Sequence, residues 1–238
     1  ARIGLVIVAT SSPDRLTPST AATIQSSLGI SSAWAFDVSC GCSGFLYGLK
    51  MSLSILNDSA AEYALIIGAE SLSRYLDWND KKSSVLFGDG AGAVVIAKKK
   101  RTNQQKDLFL LKSQSDNDGH LSITSKGSDQ DNFRIQMNGR EVFRYAVNNI
   151  SESVEQLMDH LDITQQQVKF LMIHQANERI LESVRERLGF LSEQIPKNIQ
   201  YYGNTAAASI PILLNEVAKN RQLAKGDLLL FSSFGAGF

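Results

Sequence analysis

Apolar and polar residues alternate along the chain in short blocks, which predict alternating strands and helices. Apolar runs of four to eight residues bounded by Gly, Pro, Asn or Ser predict strands, and longer stretches with helical periodicity predict helices. The clearest helical stripe joins Val142, Phe143, Ala146, Val147 and Ile150. We therefore expect strands at 3–9, 35–39, 63–68, 91–97, 108–113, 170–173, 199–202 and 228–232, and helices at 18–28, 43–56, 140–161, 178–188 and 206–220.

The order of these elements predicts how the chain is organised. Strands and helices alternate throughout, which is typical of an α/β fold with a largely parallel sheet. The scheme repeats after a polar linker that ends at residue 106, so we expect one α/β half at 1–106 and a second at 107–238. The apolar helix at 43–56 should be buried between sheets, whereas the polar, glycine-containing stretch at 116–132 should be a loop.

Composition and charge argue against several classes of function. The chain has 238 residues, 43% apolar and 20% charged, and its 24 basic residues balance 24 acidic ones. This balance does not favour nucleic-acid binding, and we interpret the basic tetrapeptide at 98–101 as a solvated turn. Neither a secretory signal nor an apolar run long enough to span a bilayer is recognisable, so we expect a cytoplasmic protein with no membrane partner.

Two cysteines, Cys40 and Cys42, lie at the junction between strand 35–39 and helix 43–56. Small residues at 41, 43 and 44 let the chain turn sharply and let a substrate approach the Cys42 sulfur. The unpaired N–H groups and the dipole of the helix start should favour its thiolate. A small buried hydrophobe is the alternative for Cys42, and packing is the role we expect for Cys40. The pair is too local to staple a fold, which favours a reducing cytosol, and we expect no metal site.

Two further polar side chains follow predicted strands. His174 comes directly after strand 170–173, and Asn204 follows strand 199–202 through a glycine. In open α/β sheets, ligands bind at the carboxyl ends of the strands. Because Cys with His is a recurring nucleophilic arrangement, the three side chains predict a catalytic site at that edge. A structural histidine and a helix cap at Asn204 are the alternatives.

Six segments carry a resemblance to a known family. They are the turn around Cys42, residues 87–92, residues 137–143, His174-Gln-Ala-Asn177, residues 203–211 and Phe234-Gly-Ala-Gly-Phe238. In order and spacing they resemble the β-ketoacyl-acyl-carrier-protein synthase III enzymes over essentially the whole chain. The His–Asn pair separates the chain from chain-elongating synthases, which use two histidines, and from biosynthetic thiolases, which use a second cysteine near the C-terminus.

The resemblance implies a thiolase-like fold. In it, two related α/β halves form a layered α-β-α-β-α arrangement, with the active site where the halves meet. Family members have further segments before the position of Ala1 and a closing strand after that of Phe238. By resemblance we expect this chain to lack both.

The same resemblance implies an acyltransferase that starts fatty-acid synthesis. Cys42 would take an acyl group from acyl-CoA, and decarboxylative Claisen condensation with malonyl-acyl-carrier protein would give 3-oxoacyl-acyl-carrier protein, with no cofactor besides the substrates. His174 and Asn204 would donate hydrogen bonds to the malonyl thioester oxygen. The backbone N–H groups of Cys42 and Ala236 would form the oxyanion hole of acyl transfer, although the family usually has glycine at the position of Ala236.

Basic residues and a glycine match positions that the family uses for substrate contact. Arg144, Arg179 and Arg187 match positions that dock the acidic acyl-carrier protein, and Lys81 and Gly139 match positions near the CoA channel. For the arginines, the alternative is that exposed side chains merely solubilise their helices.

The segment Leu16-Thr-Pro18 departs from a family pattern in which Phe often precedes the proline. In the family this loop crosses a homodimer interface and closes the acyl pocket of the partner. Since Thr17 is smaller than Phe, we expect a pocket that accepts primers longer than acetyl, unless Leu16 or a neighbour fills the same space.

Two other functions remain open from the sequence. One is a synthase III relative of secondary metabolism that transfers a different acyl group to a different acceptor, which the motifs do not distinguish. The other is an inactive partner subunit, against which the intact Cys42, His174 and Asn204 argue.

Overall fold

The structure is a computed structural model, and it describes residues 2–98, 109–114, 116, 118–125, 132–220 and 222–236. The predicted linker after Lys98 and the predicted boundary between the halves therefore lie outside the described residues, as does much of the predicted loop at 116–132.

A four-stranded mixed sheet forms the first part of the molecule. Its strands are β1 (Ile3–Ala9), β2 (Trp34–Val38), β3 (Tyr63–Ser71) and β4 (Asp89–Ala97), in the order β2-β1-β3-β4. The first three run parallel, and β4 runs antiparallel to β3. The sheet is thus largely parallel, as the alternation of strands and helices predicts.

Helices cover both faces of this sheet. Alternate β1 residues pack against α1 (Thr20–Ser27) on one face and against α2 (Gly44–Asp58) on the other. Because both faces are covered, β1 is a continuous apolar run and its residues 5–9 are fully buried. The Asp37 carboxylate accepts hydrogen bonds from the backbone N–H groups of Thr20 and Ala21, which ties β2 to the start of α1.

The second part contains a hairpin and a parallel strand pair. The hairpin joins β5 (Leu121–Ser125) to β6 (Phe133–Met137), and the parallel pair is β7 (Phe170–Ile173) with β8 (Leu229–Ser232). Two long helices, α3 (Gly139–Leu161) and α4 (Glu178–Leu188), share a core with β7 and β8. The single turn α5 (Ile199–Tyr202) precedes α6 (Ser209–Lys219), which packs on the opposite side of β7 and also against β4. No helix in the described ranges is long and apolar enough to cross a membrane.

Most predicted elements are confirmed within one to three residues, and three predictions are wrong. Residues 199–202 form one helical turn rather than a strand, because Gly203 at φ +67° ends the turn and Tyr202 donates its hydroxyl proton to Glu216. Residues 109–113, the described part of the predicted strand at 108–113, form no regular secondary structure. The predicted loop at 116–132 contains β5, whose partner β6 lies beyond the predicted loop.

Candidate active site

Cys42 lies in a short 3₁₀ turn, Gly41–Ser43, between β2 and the start of α2. Gly41 has φ +52°, a left-handed conformation that glycine adopts without strain. A Cβ on Gly44 would lie 3.0 Å from the Ala9 side chain, so the turn packs tightly against β1. The Cys42 side chain is 9% exposed, whereas Cys40 is half-buried.

The electrostatic prediction for Cys42 is wrong. Burial, together with the charge of Glu70, raises the pKa of the Cys42 thiol to about 12, although a backbone N–H acts in the lowering direction. The α-helix begins at Gly44, two residues after Cys42, and desolvation by burial is the largest cause of the raised pKa. The resting side chain is therefore a thiol at neutral pH.

His174 follows β7 directly and is 1% exposed. Burial lowers its pKa to about 3, so the imidazole is neutral at physiological pH. Its Nδ1 lies 2.7 Å from the Ser209 hydroxyl oxygen, which also accepts a hydrogen bond from the Gln175 backbone N–H. The Ser209 hydroxyl thus has its own proton to donate to Nδ1, which favours the tautomer with the proton on Nε2.

The Nε2 atom of His174 is buried and has no hydrogen-bond partner among the described residues. An unpaired buried polar atom costs free energy, typically about 1–3 kcal/mol, and so calls for an explanation. A ligand oxygen that accepts a hydrogen bond from Nε2 would supply the partner. Phe234 packs against the imidazole edge-on, with ring centroids 5.8 Å apart, and helps to hold its orientation.

Asn204 is placed by the backbone around it. The Asn204 backbone N–H donates to the Leu86 carbonyl oxygen, and the Asn204 carbonyl oxygen accepts from the Gly88 backbone N–H. These two hydrogen bonds form a parallel β-bridge between Asn204 and Phe87. A Cβ on Gly88 would lie 2.0 Å from the Tyr202 carbonyl oxygen, which explains a glycine in the 87–92 motif. The side-chain Oδ1 of Asn204 accepts from the Ala206 backbone N–H at 2.9 Å. This bond is a local turn contact and not the helix cap expected as an alternative, since the N-cap position of the 3₁₀ turn that follows is Thr205. The Nδ2 group of Asn204 is left to donate.

A small cavity of about 90 Å³ brings these three side chains together. It is lined by residues from both parts of the molecule: Cys42, Leu86, Phe87, Leu121, Met137, Gly139, Val142, Phe143, His174, Ala176, Asn177, Ile180, Asn204 and Phe234. Most of the lining is apolar, so the polar donors of His174 and Asn204 face a partly dehydrated space. The arrangement combines one thiol with the neutral imidazole of His174 and the amide of Asn204.

The segment that contains Gly235 and Ala236 lies against the turn that carries Cys42. A Cβ on Gly235 would lie 2.8 Å from the Cys42 backbone nitrogen, and one on Gly41 would lie 3.1 Å from the Ala236 backbone nitrogen. The backbone N–H groups of Cys42 and Ala236 are thus in neighbouring segments. Ser233 donates its hydroxyl proton to the Cys42 carbonyl oxygen at 3.0 Å, which ties the two segments together.

The other predicted site residues are more dispersed. Gly139 lines the cavity, while Lys81 is exposed and does not line it. All three arginines are exposed on α3 and α4; Arg144 pairs with Glu141, and Arg187 donates to Asn148 at 2.7 Å.

Leu16 and Thr17 lie on an exposed loop away from the cavity of their own chain, and Leu16 is 92% exposed.

Sequence reasoning missed three residues at the site. Ser209 supports the His174 imidazole, Phe87 lines the cavity and Glu70 acts on the pKa of Cys42. Ser209 and Phe87 do lie in motifs that were recognised, but nothing in the pattern separates them from packing residues. Glu70 is an isolated acidic residue after an apolar run, and nothing in the sequence pattern indicates that its side chain is buried.

Models of known protein families match both parts of the chain. Residues 36–119 match the family model for 3-oxoacyl-[acyl-carrier-protein] synthase III, and residues 158–238 match the model for its C-terminal region. Similar curated proteins include β-ketoacyl-[acyl-carrier-protein] synthase III 2 of Lactiplantibacillus plantarum, 40% identical, and the synthase III of Microcystis aeruginosa, 41% identical. The alignments cover 99% of this chain and 75% and 73% of those proteins.

Solved structures agree with this assignment. The synthase III of Thermus thermophilus has a TM-score of 0.90 at 38% identity, covering 99% of this chain and 74% of that chain. That of Pseudomonas aeruginosa has the same TM-score at 33% identity and the same coverage. The priming β-ketosynthase of the R1128 polyketide pathway has a TM-score of 0.88 at 26% identity, covering 100% of this chain and 72% of that chain. The fold is thus the thiolase fold, and the chain belongs to the β-ketoacyl-acyl-carrier-protein synthase III family.

Proposed function

We infer that the protein is an acyltransferase that catalyses the decarboxylative condensation of an acyl-CoA primer with malonyl-acyl-carrier protein, the step that initiates fatty-acid synthesis. Family membership over 99% of the chain supports the reaction class. We assign the chemistry to Cys42, His174 and Asn204, which share one cavity. The proposed reaction uses no cofactor besides the two substrates, and we place it in the reducing cytosol, consistent with two free cysteines.

The first stage is acyl transfer to Cys42. The sulfur attacks the thioester carbonyl of acyl-CoA, a carbon–sulfur bond forms, and the bond to the CoA sulfur breaks. The thiol proton of Cys42 ends on the departing CoA thiol, so the exchange is balanced. The backbone N–H groups of Cys42 and Ala236 are our candidates for holding the oxygen of the tetrahedral intermediate.

The second stage is condensation. Malonyl-acyl-carrier protein loses CO₂, and the electron pair of the broken bond forms an enolate on the thioester. That carbanion attacks the acyl group on Cys42, forms the new carbon–carbon bond and releases the cysteine sulfur as a thiolate. The thiolate takes up a proton from solvent, which restores the resting thiol. His174 Nε2 and Asn204 Nδ2 stabilise the enolate oxygen as neutral donors, which requires no proton to be removed from the imidazole.

The unpaired Nε2 of His174 is the observation that carries this proposal. A buried donor beside the nucleophile, in an apolar cavity, suits an oxygen that gains negative charge during the reaction.

Intact mass spectrometry after mixing the protein with acetyl-CoA tests the first stage. We expect the protein to gain the mass of one acetyl group, and subsequent malonyl-acyl-carrier protein to remove it as 3-oxobutyryl product. A protein that gains no acyl group from any acyl-CoA would contradict the proposed function.

A synthase III enzyme of secondary metabolism is the second candidate. The likeness to a priming β-ketosynthase of a polyketide pathway favours it, at 26% identity. The curated relatives at about 40% identity favour the first candidate. The acceptor separates the two: the fatty-acid enzyme should turn over malonyl-acyl-carrier protein faster than other malonyl thioesters.

Carrier-protein docking is assigned to the exposed arginines of α3 and α4. Arg179 and Arg187 are exposed on α4, and Arg144 is exposed on the adjacent α3, where it pairs with Glu141. The N-terminal ends of both helices border the cavity through Gly139 and Ile180. An acidic carrier protein would be attracted to this side of the molecule. We assign Lys81 to CoA on resemblance alone.

Primer length should depend on Thr17. We propose that Thr17 of one subunit faces the acyl pocket of the other, so the wild-type protein should use four-carbon or branched acyl-CoA at least as well as acetyl-CoA. Thr17→Phe should shift the ratio of kcat/KM toward acetyl-CoA by about 10–200-fold, since a methylene in an apolar pocket is worth about 1–3 kcal/mol. Leu16→Ala is the comparison variant. A wild type that rejects all primers longer than acetyl would instead implicate Leu16.

We propose a homodimer that forms along the edge of the first sheet. The edge strand β2 has one neighbour, and its Trp34 is 61% exposed, which is an apolar edge that a second copy would cover. Light scattering at micromolar concentration should give twice the chain mass. Trp34→Lys should shift the equilibrium toward monomer, and a wild-type monomer would contradict the proposal.

A further inference from the structure

Gln175 is a buried polar side chain that directly follows His174, at the carboxyl end of β7. It is 1% exposed, and the proposed chemistry does not use it. A glutamine side chain is seldom buried completely, because its amide carries donors and an acceptor that all need partners. The hydrogen bonds of this amide therefore show what the residue holds in place.

Two backbone groups fix the orientation of the Gln175 amide. Its Oε1 accepts from the Asn198 backbone N–H at 3.1 Å, and its Nε2 donates to the Ile173 carbonyl oxygen at 2.8 Å. Since a backbone N–H can only donate and a carbonyl oxygen can only accept, a flipped amide would lose both bonds. The side chain thus closes the turn after β7 and ties it to the segment before α5.

The Gln175 backbone N–H makes a third hydrogen bond, to the Ser209 hydroxyl oxygen at 3.3 Å. The same oxygen lies 2.7 Å from His174 Nδ1, and Ser209 is 2% exposed. Among the described residues, Ser209 makes no other side-chain hydrogen bond. One buried hydroxyl group therefore serves both the catalytic ring and the residue that follows it.

This arrangement decides which nitrogen of His174 carries the proton. While the Ser209 oxygen accepts from Gln175, its own proton can donate to Nδ1, which places the imidazole proton on Nε2. If Nδ1 donated instead, the oxygen would accept two N–H groups, and the buried hydroxyl proton would have no acceptor in the described part of the chain. The N–H of Gln175 thus disfavours the tautomer that cannot donate from Nε2.

Helix α6 is fastened to the same turn at a second point. Ser209 is the first residue of α6, and Glu216 lies about two helical turns later on the same side. The Glu216 carboxylate accepts from the Asn198 side-chain amide at 2.9 Å and from the Tyr202 hydroxyl. Through Asn198, the Gln175 side chain is therefore linked to α6, and this link helps to set the distance from its N–H to Ser209.

We propose that Gln175 is a positioning residue for His174: its side chain holds the turn so that the Gln175 N–H stays on Ser209, and Ser209 thereby keeps the imidazole proton on Nε2. The 3.3 Å bond is the longest of these contacts, so a small shift of the turn is enough to break it. The inference rests on the proposed function for the use of Nε2. The position of the proton on the ring does not depend on the reaction.

The ¹⁵N resonances of the His174 ring test the proposal without any substrate. The chain has three histidines, so protein labelled with ¹⁵N-histidine gives few ring signals, and His174→Ala identifies those of His174. In a neutral imidazole, the protonated and the unprotonated nitrogen resonate far apart, so the spectrum reports the share of each tautomer. In the wild type at neutral pH, we expect the proton on Nε2 alone.

Gln175→Met keeps the size of the side chain and removes both of its hydrogen bonds. The tautomer with the proton on Nδ1 should then appear in the spectrum. Malonyl decarboxylation should fall by about 3- to 10-fold, the value of one hydrogen bond, while self-acylation of Cys42 stays at the wild-type rate. Asn198→Ala removes the link to Glu216 and should change both measurements in the same direction by less.

Gln194→Met is the matched control. The Gln194 side-chain amide also binds three backbone groups, those of Leu191, Gln165 and Val168. These bonds lie near the start of β7, whereas Gln175 lies beyond its carboxyl end. The control should lower the free energy of unfolding as Gln175→Met does, but it should leave the tautomer and the decarboxylation rate at their wild-type values.

A double variant shows whether Gln175 acts through Ser209. Gln175→Met combined with Ser209→Ala should decarboxylate at the rate of Ser209→Ala alone, because the hydroxyl group that transmits the effect is missing. Losses that multiply would overturn the proposal, as would a wild-type ring with its proton on Nδ1 or a Gln175→Met spectrum identical to that of the wild type.

Two further outcomes keep this test separate from folding and from the proposed function. If circular dichroism shows that Gln175→Met does not fold, the wild-type spectrum and Asn198→Ala decide. A protein without any condensation activity overturns the proposed function, whereas the ring spectra still confirm or overturn the role of Gln175.

Discussion

Cys42→Ser should abolish acyl transfer, with a loss on the order of 10³-fold or more in the rate of self-acylation. An alcohol is a much weaker nucleophile than a thiol, and the buried cavity that raises the pKa of Cys42 to about 12 would disfavour an alkoxide even more strongly. The measurement is the mass of the protein after exposure to acetyl-CoA. The variant should fold normally, since the two side chains are similar in size.

Cys40→Ser is the matched control for this experiment. Cys40 lies two residues away, is half-buried and does not line the cavity. This variant should acylate at the wild-type rate, and peptide mapping of the wild type should place the acyl group on Cys42. An acyl group on Cys40 would contradict the assignment of the nucleophile.

His174→Ala and Asn204→Ala should each lower malonyl decarboxylation by about 10²–10³-fold, the usual cost of one donor to a developing oxyanion. Both should retain self-acylation of Cys42, because their donors serve the second stage. Release of CO₂ from malonyl-acyl-carrier protein and protein acylation are measured separately. A variant that lost acylation and kept decarboxylation would reverse the assigned roles.

The pH dependence and Ser209 provide further controls for this assignment. Since the pKa of His174 is lowered to about 3, the imidazole is neutral above that pH and should contribute no ionisation to decarboxylation between pH 5 and 8. Ser209→Ala removes the partner of Nδ1 and should cause a smaller loss, with a changed ¹⁵N resonance of the ring that reports the tautomer. If the decarboxylation rate decreased as the pH was lowered through a pKa near 6.5, the ordinary value for histidine, His174 would not be held neutral.

The sequence predicts the framework well where the pattern is long and continuous. Helix α4 and strands β1 and β7 lie within the limits expected from apolar periodicity. The segment at 199–202 misled the prediction, because aromatic residues next to an isoleucine favour a strand. Their conformation is decided by contacts that are remote in sequence, among them the bond from Tyr202 to Glu216.

The same division applies to the candidate site. The sequence alone determined that Cys42 and His174 each follow a strand, and the order of motifs around Cys42, His174 and Asn204 was enough to recognise the family. Those features are local, since a turn needs glycine and a strand end delivers the next side chain to a predictable edge.

Tertiary structure alone decided the ionisation states. The helix start next to Cys42 predicted a thiolate, but the side chain is buried among apolar groups, and this burial, with a smaller effect of the Glu70 charge, raises the pKa instead. The hydrogen bonds of His174 Nδ1 and of Glu70 join residues that are 35 and 59 positions apart in the sequence. That the Nε2 of His174 is buried without a partner among the described residues is likewise visible only in the folded chain. Desolvation and hydrogen bonding depend on everything that packs around a group, and a linear pattern records only its neighbours along the chain.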